Sequence, residues 1–525
     1  MKHIILIAVF ALFTKIGLSN NVTISNISTP DNQHIQFDIT WDNSWYTTIN
    51  YDAVWIFIKA QNCTGAATWN HIDLSVVPGD HSITGGYYLE VAATDGKGIF
   101  VRRNTEGFGT VTATVTLEFS TTYVDYLSMN WQAFGVEMVW IPDGTYKVGD
   151  GSTSNTAGTG SAYNFGTSNL SAPYTISSEN SIAVNAFQND RSFYCGTIYS
   201  NSAIARNAAL GASFPKGYSG IYVMKYEISQ AQYVAFLNDL SLTQQGNRTF
   251  VAPTSAVGTF ALTGGVTASN RNSIVIETSA TASTPAVYNC DLNADLSYGD
   301  GGEIACNYLS YADLISYLDW AALRPMTELE YEKICRGTSI PTINEYPWGN
   351  TTLTAANSAN LSNAGTTSEI STITGVGLAA YGGSPGTGPL RCGFAATSTT
   401  TQTTAGATYY GVLDMAGNVW EQCIQVGWTY VVSGSCYTYQ YYPSGGVIFT
   451  GALGNGTVDV NGNADASNWG NSGYTLLKGG CWNSPTTAAG LQNAQVSDRT
   501  KIYSLAAYAN NSRSNEIGGR GVRKP

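Results

Sequence analysis

The sequence predicts an α+β protein. An N-terminal antiparallel β-sandwich of immunoglobulin-like type, residues 20–135, is followed by a large irregular mixed α/β domain, residues 136–525. Three observations carry this. From Asn21 to Trp131, short alternating apolar runs recur between Gly, Asn, Asp and Pro. Beyond Val136, three segments with helical apolar spacing each follow a Ser or Thr cap. The composition, with 56 Gly, 33 Tyr and 12 Trp against a charged fraction of only 11%, favours strands, turns and irregular loops over helix bundles.

In chain order, residues 1–19 read as a secretory signal: Lys2, an apolar run from Ile4 to Phe13, then Lys15 and the small residues Gly17 and Ser19. The run is about ten residues, well short of the roughly 20 that span a bilayer. No Cys lies near the expected cleavage point and no second apolar run reaches membrane length. The expectation is an exported chain with no lipid anchor and no membrane span. Export makes the nine Cys readable as disulfides. Cys290 with Cys306, and Cys423 with Cys436, each bracket a short segment that a bridge could close. The odd count leaves at least one of Cys63, Cys195, Cys335, Cys392 and Cys481 unpaired, and Cys335 and Cys481 also fit small buried thiols.

The sandwich is read from VTISNIS, IQFDITW, AVWIFIKA, YYLEVAA, GIFVRR and VTATVTLEF. Its His34, His71 and His81 lack metal-ligand spacing and read as scattered surface or core residues. EMVWIPDGTYKVGDG (137–151) then starts a new strand and turn, followed by loop text rich in Gly, Ser, Thr and Asn. Ser229 with Gln232 forms a capping box before Tyr233, Phe236, Leu237 and Leu240. Ser310 precedes Leu314, Tyr317, Leu318 and Ala321 in the same rhythm. Thr327 with Glu330 opens a third helix that Gly337 can end through a positive φ. Past Gly337 the chain reads as loops and short strands.

The formal charge of -12, with only 24 Lys and Arg, excludes a nucleic-acid partner, because phosphate recognition needs clustered cations. It suits divalent cations instead. Two segments offer hard oxygen donors. In GVLDMAGNVWEQC (411–423), Asp414 and Glu421 are open to catalysis, metal binding or turn formation. In CDLNADLSYGDGGEIAC (290–306), Asp291, Asn293, Asp295 and Asp300 alternate like an EF-hand loop. There the register fails afterwards, since Gly302 stands where the bidentate Glu belongs and Glu303 is one late. Calcium and a solvated acidic loop both remain open for it.

MVWIPDGTYKVGD, YVMKYEISQAQYVAFLN, LRPMTELEYEKICRG, YPWGN, GVLDMAGNVWEQ, LKGGCWN and GGRGVR, in this order, resemble the formylglycine-generating (sulfatase-modifying factor) family over Val136 to Pro525. The resemblance implies a C-type-lectin-like fold held by calcium. Matched position by position, it implies a structural calcium bound by the side chains of Asp414 and Glu421 and the backbone carbonyls of Gly417 and Val419. Asn360 matches one ligand of a second family site, but the position of its acidic partner carries Arg391 and Cys392. The family's copper-binding, oxygen-activating thiols fall on Ser484 and Ala489, and hydroxyl and methyl cannot replace thiolate toward copper(I). No His occurs between Val136 and Pro525, which removes His-dependent iron or base chemistry from this domain.

The expectation is therefore a secreted, non-catalytic, calcium-stabilised binding or assembly protein at a bacterial cell surface. Its partner would be a protein or glycan, or further copies of itself, since members without the catalytic thiols occur in surface, secretion and motility machinery. The alternatives are a variable ligand-binding protein of a diversity-generating retroelement and an oxidoreductase of the formylglycine-generating type. For ligand binding, the C-terminal segment offers Arg499, Tyr503, Tyr508, Asn510, Asn511 and Arg513, residue types that make adaptable contacts and that also serve packing and turns.

Overall fold

Nine strands open the chain: β1 (Thr23–Ser28), β2 (His34–Tyr46), β3 (Asp52–Asn62), β4 (Trp69–Ile72), β5 (Ser82–Ile83), β6 (Tyr88–Val91), β7 (Ile99–Arg102), β8 (Gly107–Glu118) and β9 (Met129–Ile141). The computed structural model describes residues 22–62, 68–92, 94–151, 173–183, 209–384, 387–426, 428–433, 436–441, 449–470, 475–498 and 512–525. The expected signal segment lies outside them. β1, β2, β8 and β5 form a four-stranded antiparallel sheet in the order β1-β2-β8-β5. The other strands of this region belong to an eight-stranded sheet, which is built from both halves of the sequence.

Residue alternation in β3 shows why this larger sheet is a middle layer. Val54, Ile56 and Ile58 pack with Ile35, Phe37, Ile39, Val111 and Val115 of the four-stranded sheet. Ala53, Trp55 and Phe57 point the other way, into a core with Tyr233, Phe236, Tyr317 and Trp320. A strand buried on both faces reads as a continuous apolar run, as AVWIFIKA does.

β9 joins the halves. Its residues from Met129 to Val139 pair with β3, and Met138 to Ile141 pair with the strand Ile221–Met224. That strand pairs with Gly521–Arg523, which pairs with Arg324–Pro325. The sheet thus runs without a seam past residue 135. Side chains reinforce the junction: Trp55 Nε1 donates to Ala321 O at 2.9 Å, and Lys59 Nζ to Trp320 O at 2.7 Å. Arg523 pairs with Asp95 at 2.6 and 2.8 Å while its guanidinium lies 4.1 Å from the Trp55 ring centre.

The helices begin where their caps are. α1 (Gln230–Asn238), α2 (Leu242–Arg248), α3 (Tyr311–Trp320) and α4 (Glu328–Arg336) carry reciprocal capping boxes from Ser229, Ser241, Ser310 and Thr327. α4 stops at Gly337, where φ is 59° and a Cβ would stand 2.2 Å from the Tyr409 ring. The result is the mixed α/β architecture expected, with few helices and many short strand pairs.

The expected disulfides are not formed. Cys290, Cys306 and Cys423 are free buried thiols, as are Cys335, Cys392 and Cys481. Cys290 and Cys306 belong to the main apolar core, and Cys423 packs among Tyr331, Ile334 and Cys335. Burial pushes the Cys290 thiol up to about 12, so it stays protonated and unreactive. Beyond Cys423, Trp428–Ser433 pairs with Cys436–Tyr441 as a hairpin, and the Cys436 side chain lies outside what is described.

Candidate metal centre

The loop before the strand Trp420–Ile424 is shaped by positive φ. Asp414 (58°), Gly417 (85°) and Asn418 (62°) all lie in the left-handed region, where Gly has no Cβ penalty and Asp and Asn are the best-tolerated side chains. At Gly417 a Cβ would stand 2.5 Å from Ala380 O, so the close approach itself requires glycine. The backbone is anchored on three sides: Gly417 N donates to Gly479 O at 2.9 Å, Asn418 N to Ala380 O at 3.0 Å, and Trp420 N to Glu516 O at 2.8 Å. Trp420 packs behind the loop with Leu477, Cys481, Trp482 and Ile517.

This loop buries its polar groups. Asp414 Oδ2 accepts from Gly393 N at 2.5 Å, and Glu421, on the strand itself, accepts Arg520 Nε at 2.8 Å through Oε1. Arg520 is fully buried and also donates to Leu413 O at 2.9 Å and Met224 O at 3.1 Å. A third carboxylate, Glu227, sits between Ile221–Met224 and the cap of α1. Its Oε1 accepts Val419 N at 3.0 Å and its Oε2 accepts Asn418 Nδ2 at 2.6 Å. Asn418 Oδ1 in turn accepts Leu390 N at 2.7 Å.

Electrostatics leave this cluster undercompensated. Burial raises Asp414 and Glu421 above the usual carboxylate range, against the pull of Arg520. Burial raises Glu227 too, and the neighbouring Asp414 and Glu421 charges add to it. Glu421 Oε2 is buried with no hydrogen-bond partner. Arg391 as well as Arg520 pulls on Asp414, so three carboxylates face two guanidiniums and one formal negative charge is left among oxygen donors, which is the chemistry a hard divalent cation fits. Among the described residues, no three His, Cys, Asp or Glu side chains gather as a metal cluster. Of the donors the resemblance implies, Asp414 is engaged by Gly393 N and Glu421 by Arg520.

The other expected donors are placed differently. Asn360 is half-buried, and its carbonyl accepts Thr372 N at 2.8 Å. The segment expected to supply its partner is occupied by the Arg391 guanidinium, which donates to Glu369 O at 2.7 Å and to Cys392 O and Gly393 O at 3.1 Å. In the acidic loop, Asp291 accepts Asp295 N and Leu296 N at 3.2 and 2.9 Å. Asn293 accepts Asp295 N at 3.1 Å, Asp295 accepts Ser297 N at 2.7 Å, and Asp300 accepts Leu292 N at 2.7 Å. These side chains close turns within their own loop. Arg499, Tyr503, Tyr508, Asn510 and Asn511 lie outside the described residues. Arg513 is half-buried and pairs with Asp313 at 2.8 Å.

Glu227 and Arg520 are members of the cluster that the motifs alone do not mark. Glu227 stands between Tyr226 and Ile228 just ahead of a helix cap, where a lone carboxylate in apolar text signals a buried partner. Arg520 lies in GGRGVR, where flanking glycines admit a close backbone approach. A small cavity beside the cluster is lined by Glu137, Tyr226, Glu227, Ser229, Gln232 and Cys392. Its Glu137 is paired with Lys225 at 2.9 Å, yet burial brings its carboxyl up to about 7.

At the positions expected for the oxidase thiols, Ser484 is buried with its hydroxyl 3.0 Å from Cys481 N, and Ala489 lies exposed on the short helix Ala488–Leu491. Cys481 itself is sealed among Trp420, Trp482 and Ile517, and burial pushes its thiol up to about 12.

This assembly of short strand pairs and capped helices around a Gly-Asn-Val-Trp-Glu loop defines a class, and comparison with family models agrees. The sulfatase-modifying factor enzyme 1-like domain matches residues 196–525, more than half the chain, and the chain belongs to that family. No curated protein matches it.

Proposed function

We propose that the chain is a non-catalytic member of its family, exported to a bacterial surface, in which a calcium-braced domain serves binding or assembly with a protein or glycan partner. The observation that carries this is the replacement of the thiol pair: Ser484 and Ala489 stand at those positions, and Cys481, the nearest sulfur, is buried and protonated. A thiolate ligand to copper(I) needs both deprotonation and access, and Cys481 has neither. Asp414 and Glu421, with the carbonyls of Gly417 and Val419, are the donors that would hold calcium. When bound, the ion supplies charge compensation to the buried carboxylates, and Glu227 fixes the loop by accepting Val419 N and Asn418 Nδ2. Among the described residues no helix is long and apolar enough to cross a membrane.

The test is an oxidation assay. The purified chain, supplied with copper(I), oxygen and a cysteine-containing peptide, is expected to give no aldehyde product by mass spectrometry. Turnover of the peptide would overturn the reading.

A further inference from the structure

Three charged side chains are buried together where the eight-stranded sheet joins the two halves of the sequence, and the proposed calcium site does not use them. β9 is the middle strand there, pairing Glu137 with Val54 and Val139 with Asp52 of β3, and Met138 with Met224 on its other side. Lys225 N donates to Glu137 O at 2.9 Å, which carries that ladder one residue further. Alternation then sets Asp52, Glu137 and Lys225 on one face of three neighbouring chain segments, with Glu137 in the middle.

The distances bring an amine, a carboxyl carbon and a base together. Lys225 Nζ lies 2.9 Å from Glu137 Oε2 and 3.4 Å from Asp52 Oδ2. The other Asp52 oxygen, Oδ1, accepts Ser44 Oγ and Trp45 N, both at 2.9 Å. Two donors on one carboxyl oxygen stabilise the negative charge that builds there when a nucleophile adds to the carbon. The Asp52 and Glu137 side chains are 1% exposed and that of Lys225 5%, and the Trp45 and Tyr226 ring centres stand 4.8 and 5.5 Å from Nζ. Burial lifts Asp52 above the usual carboxylate range and Glu137 up to about 7, although Lys225 pulls against both. Burial also opposes the Lys225 charge, but Glu137, Tyr226 and Asp52 together hold it above its ordinary value, so the starting state is an ammonium.

We propose that Lys225 and Asp52 condense into an intramolecular isopeptide bond, with Glu137 as the proton carrier. Glu137 takes a proton from the ammonium, and the freed Nζ adds to Asp52 Cγ while Ser44 Oγ and Trp45 N hold the charge on Oδ1. Glu137 passes that proton to Oδ2 and relays a second one from the nitrogen. The Cγ–Oδ2 bond then breaks and Oδ2 leaves as water. An ammonium and a carboxylate thus become one amide and one water, and no oxidant, reductant or further reactant is needed. Asp52 rather than Glu137 is the acyl donor because the paired donors sit on Asp52. Two effects drive the step: the reacting groups are held in contact, and a neutral amide replaces charges that are costly to bury. The cavity lined by Glu137 and Tyr226, of about 10 Å³, is close to the size that one water needs. The product ties β3 covalently to the segment that follows Ile221–Met224, across the middle strand.

The test maps peptides of the full chain as expressed. After denaturation and reduction, a tryptic digest read by tandem mass spectrometry is expected to contain one branched peptide. In it Lys225 carries the segment that includes Asp52, and its mass is one water below the sum of the two linear peptides. Glu137→Gln is expected to lose the branched peptide and return both linear ones, with circular dichroism checking that the variant is folded. A folded wild-type chain that yields only linear peptides overturns the proposal, as does a link from Lys225 to Glu137. A branched peptide at the same level in folded Glu137→Gln overturns the role of the base. The wild-type map decides the bond without any variant, and it is independent of calcium.

Discussion

Glu303 lies near Arg391, and burial still holds its carboxyl up at about 7, with Oε2 lacking a hydrogen-bond partner. The raised value fixes the sign of its contribution. Between its ordinary 4.5 and about 7, the folded chain keeps a proton that the unfolded chain has lost, so stability falls as pH rises through that window. Above about 7 the penalty is complete. Glu303→Gln is expected to gain about 2–3 kcal/mol at pH 8 and little at pH 4.5, read from urea denaturation at both pH values. An equal change at both would contradict the burial argument. Sequence alone marked Glu303 only as one place out of EF-hand register, because desolvation depends on what packs around a carboxylate.

Among the elements, helix starts were the most legible. Ser229, Ser310 and Thr327 cap α1, α3 and α4 where their spacing indicates, since a capping box is a local hydrogen-bond exchange over four residues. α2 went unread: it begins four residues after α1 ends and its LTQQGNR text lacks an apolar stripe. It is held by its own box, Ser241 with Gln244, and by Gln245, which donates to Leu237 O and Ala286 O at 3.0 and 2.9 Å. Ser241→Ala is therefore expected to cost about 1 kcal/mol in chemical denaturation, and a neutral result would show that packing alone sets this start. Disulfides were misread for a different reason. Cysteine spacing reports loop closure, whereas Cys290 and Cys306 are placed by the apolar core, which accepts a thiol as a small hydrophobe.

At the scale of the whole molecule, the composition and motif order conveyed a mixed fold of the right family, but not the sharing of one sheet between its two halves. Such pairing is long-range: β9 follows the first strands directly, yet its partner Ile221–Met224 stands some eighty residues on, and Gly521–Arg523, from the far end of the sequence, inserts between that strand and the edge strand Arg324–Pro325. The physical consequence is cooperativity. With Trp55, Lys59 and Asp95 bonded into the family domain, separate melting of residues 22–135 would strip partners from buried polar groups. Calorimetry is expected to show a single unfolding transition, and two resolved transitions would contradict a shared core.

The proposed cation site belongs to this scale as well, because its groups come from Glu227 beyond the strand at 221–224, Asp414 in the loop at 411–419, Glu421 on the strand at 420–424 and the C-terminal Arg520. Calcium titration of the EDTA-stripped chain, followed by calorimetry and by melting temperature, tests the central claim most directly. Saturable binding with a rise in melting temperature is expected, both abolished in Asp414→Asn while that variant remains folded. A stripped chain that binds no calcium and melts at the same temperature with or without it would rule out a calcium-braced domain.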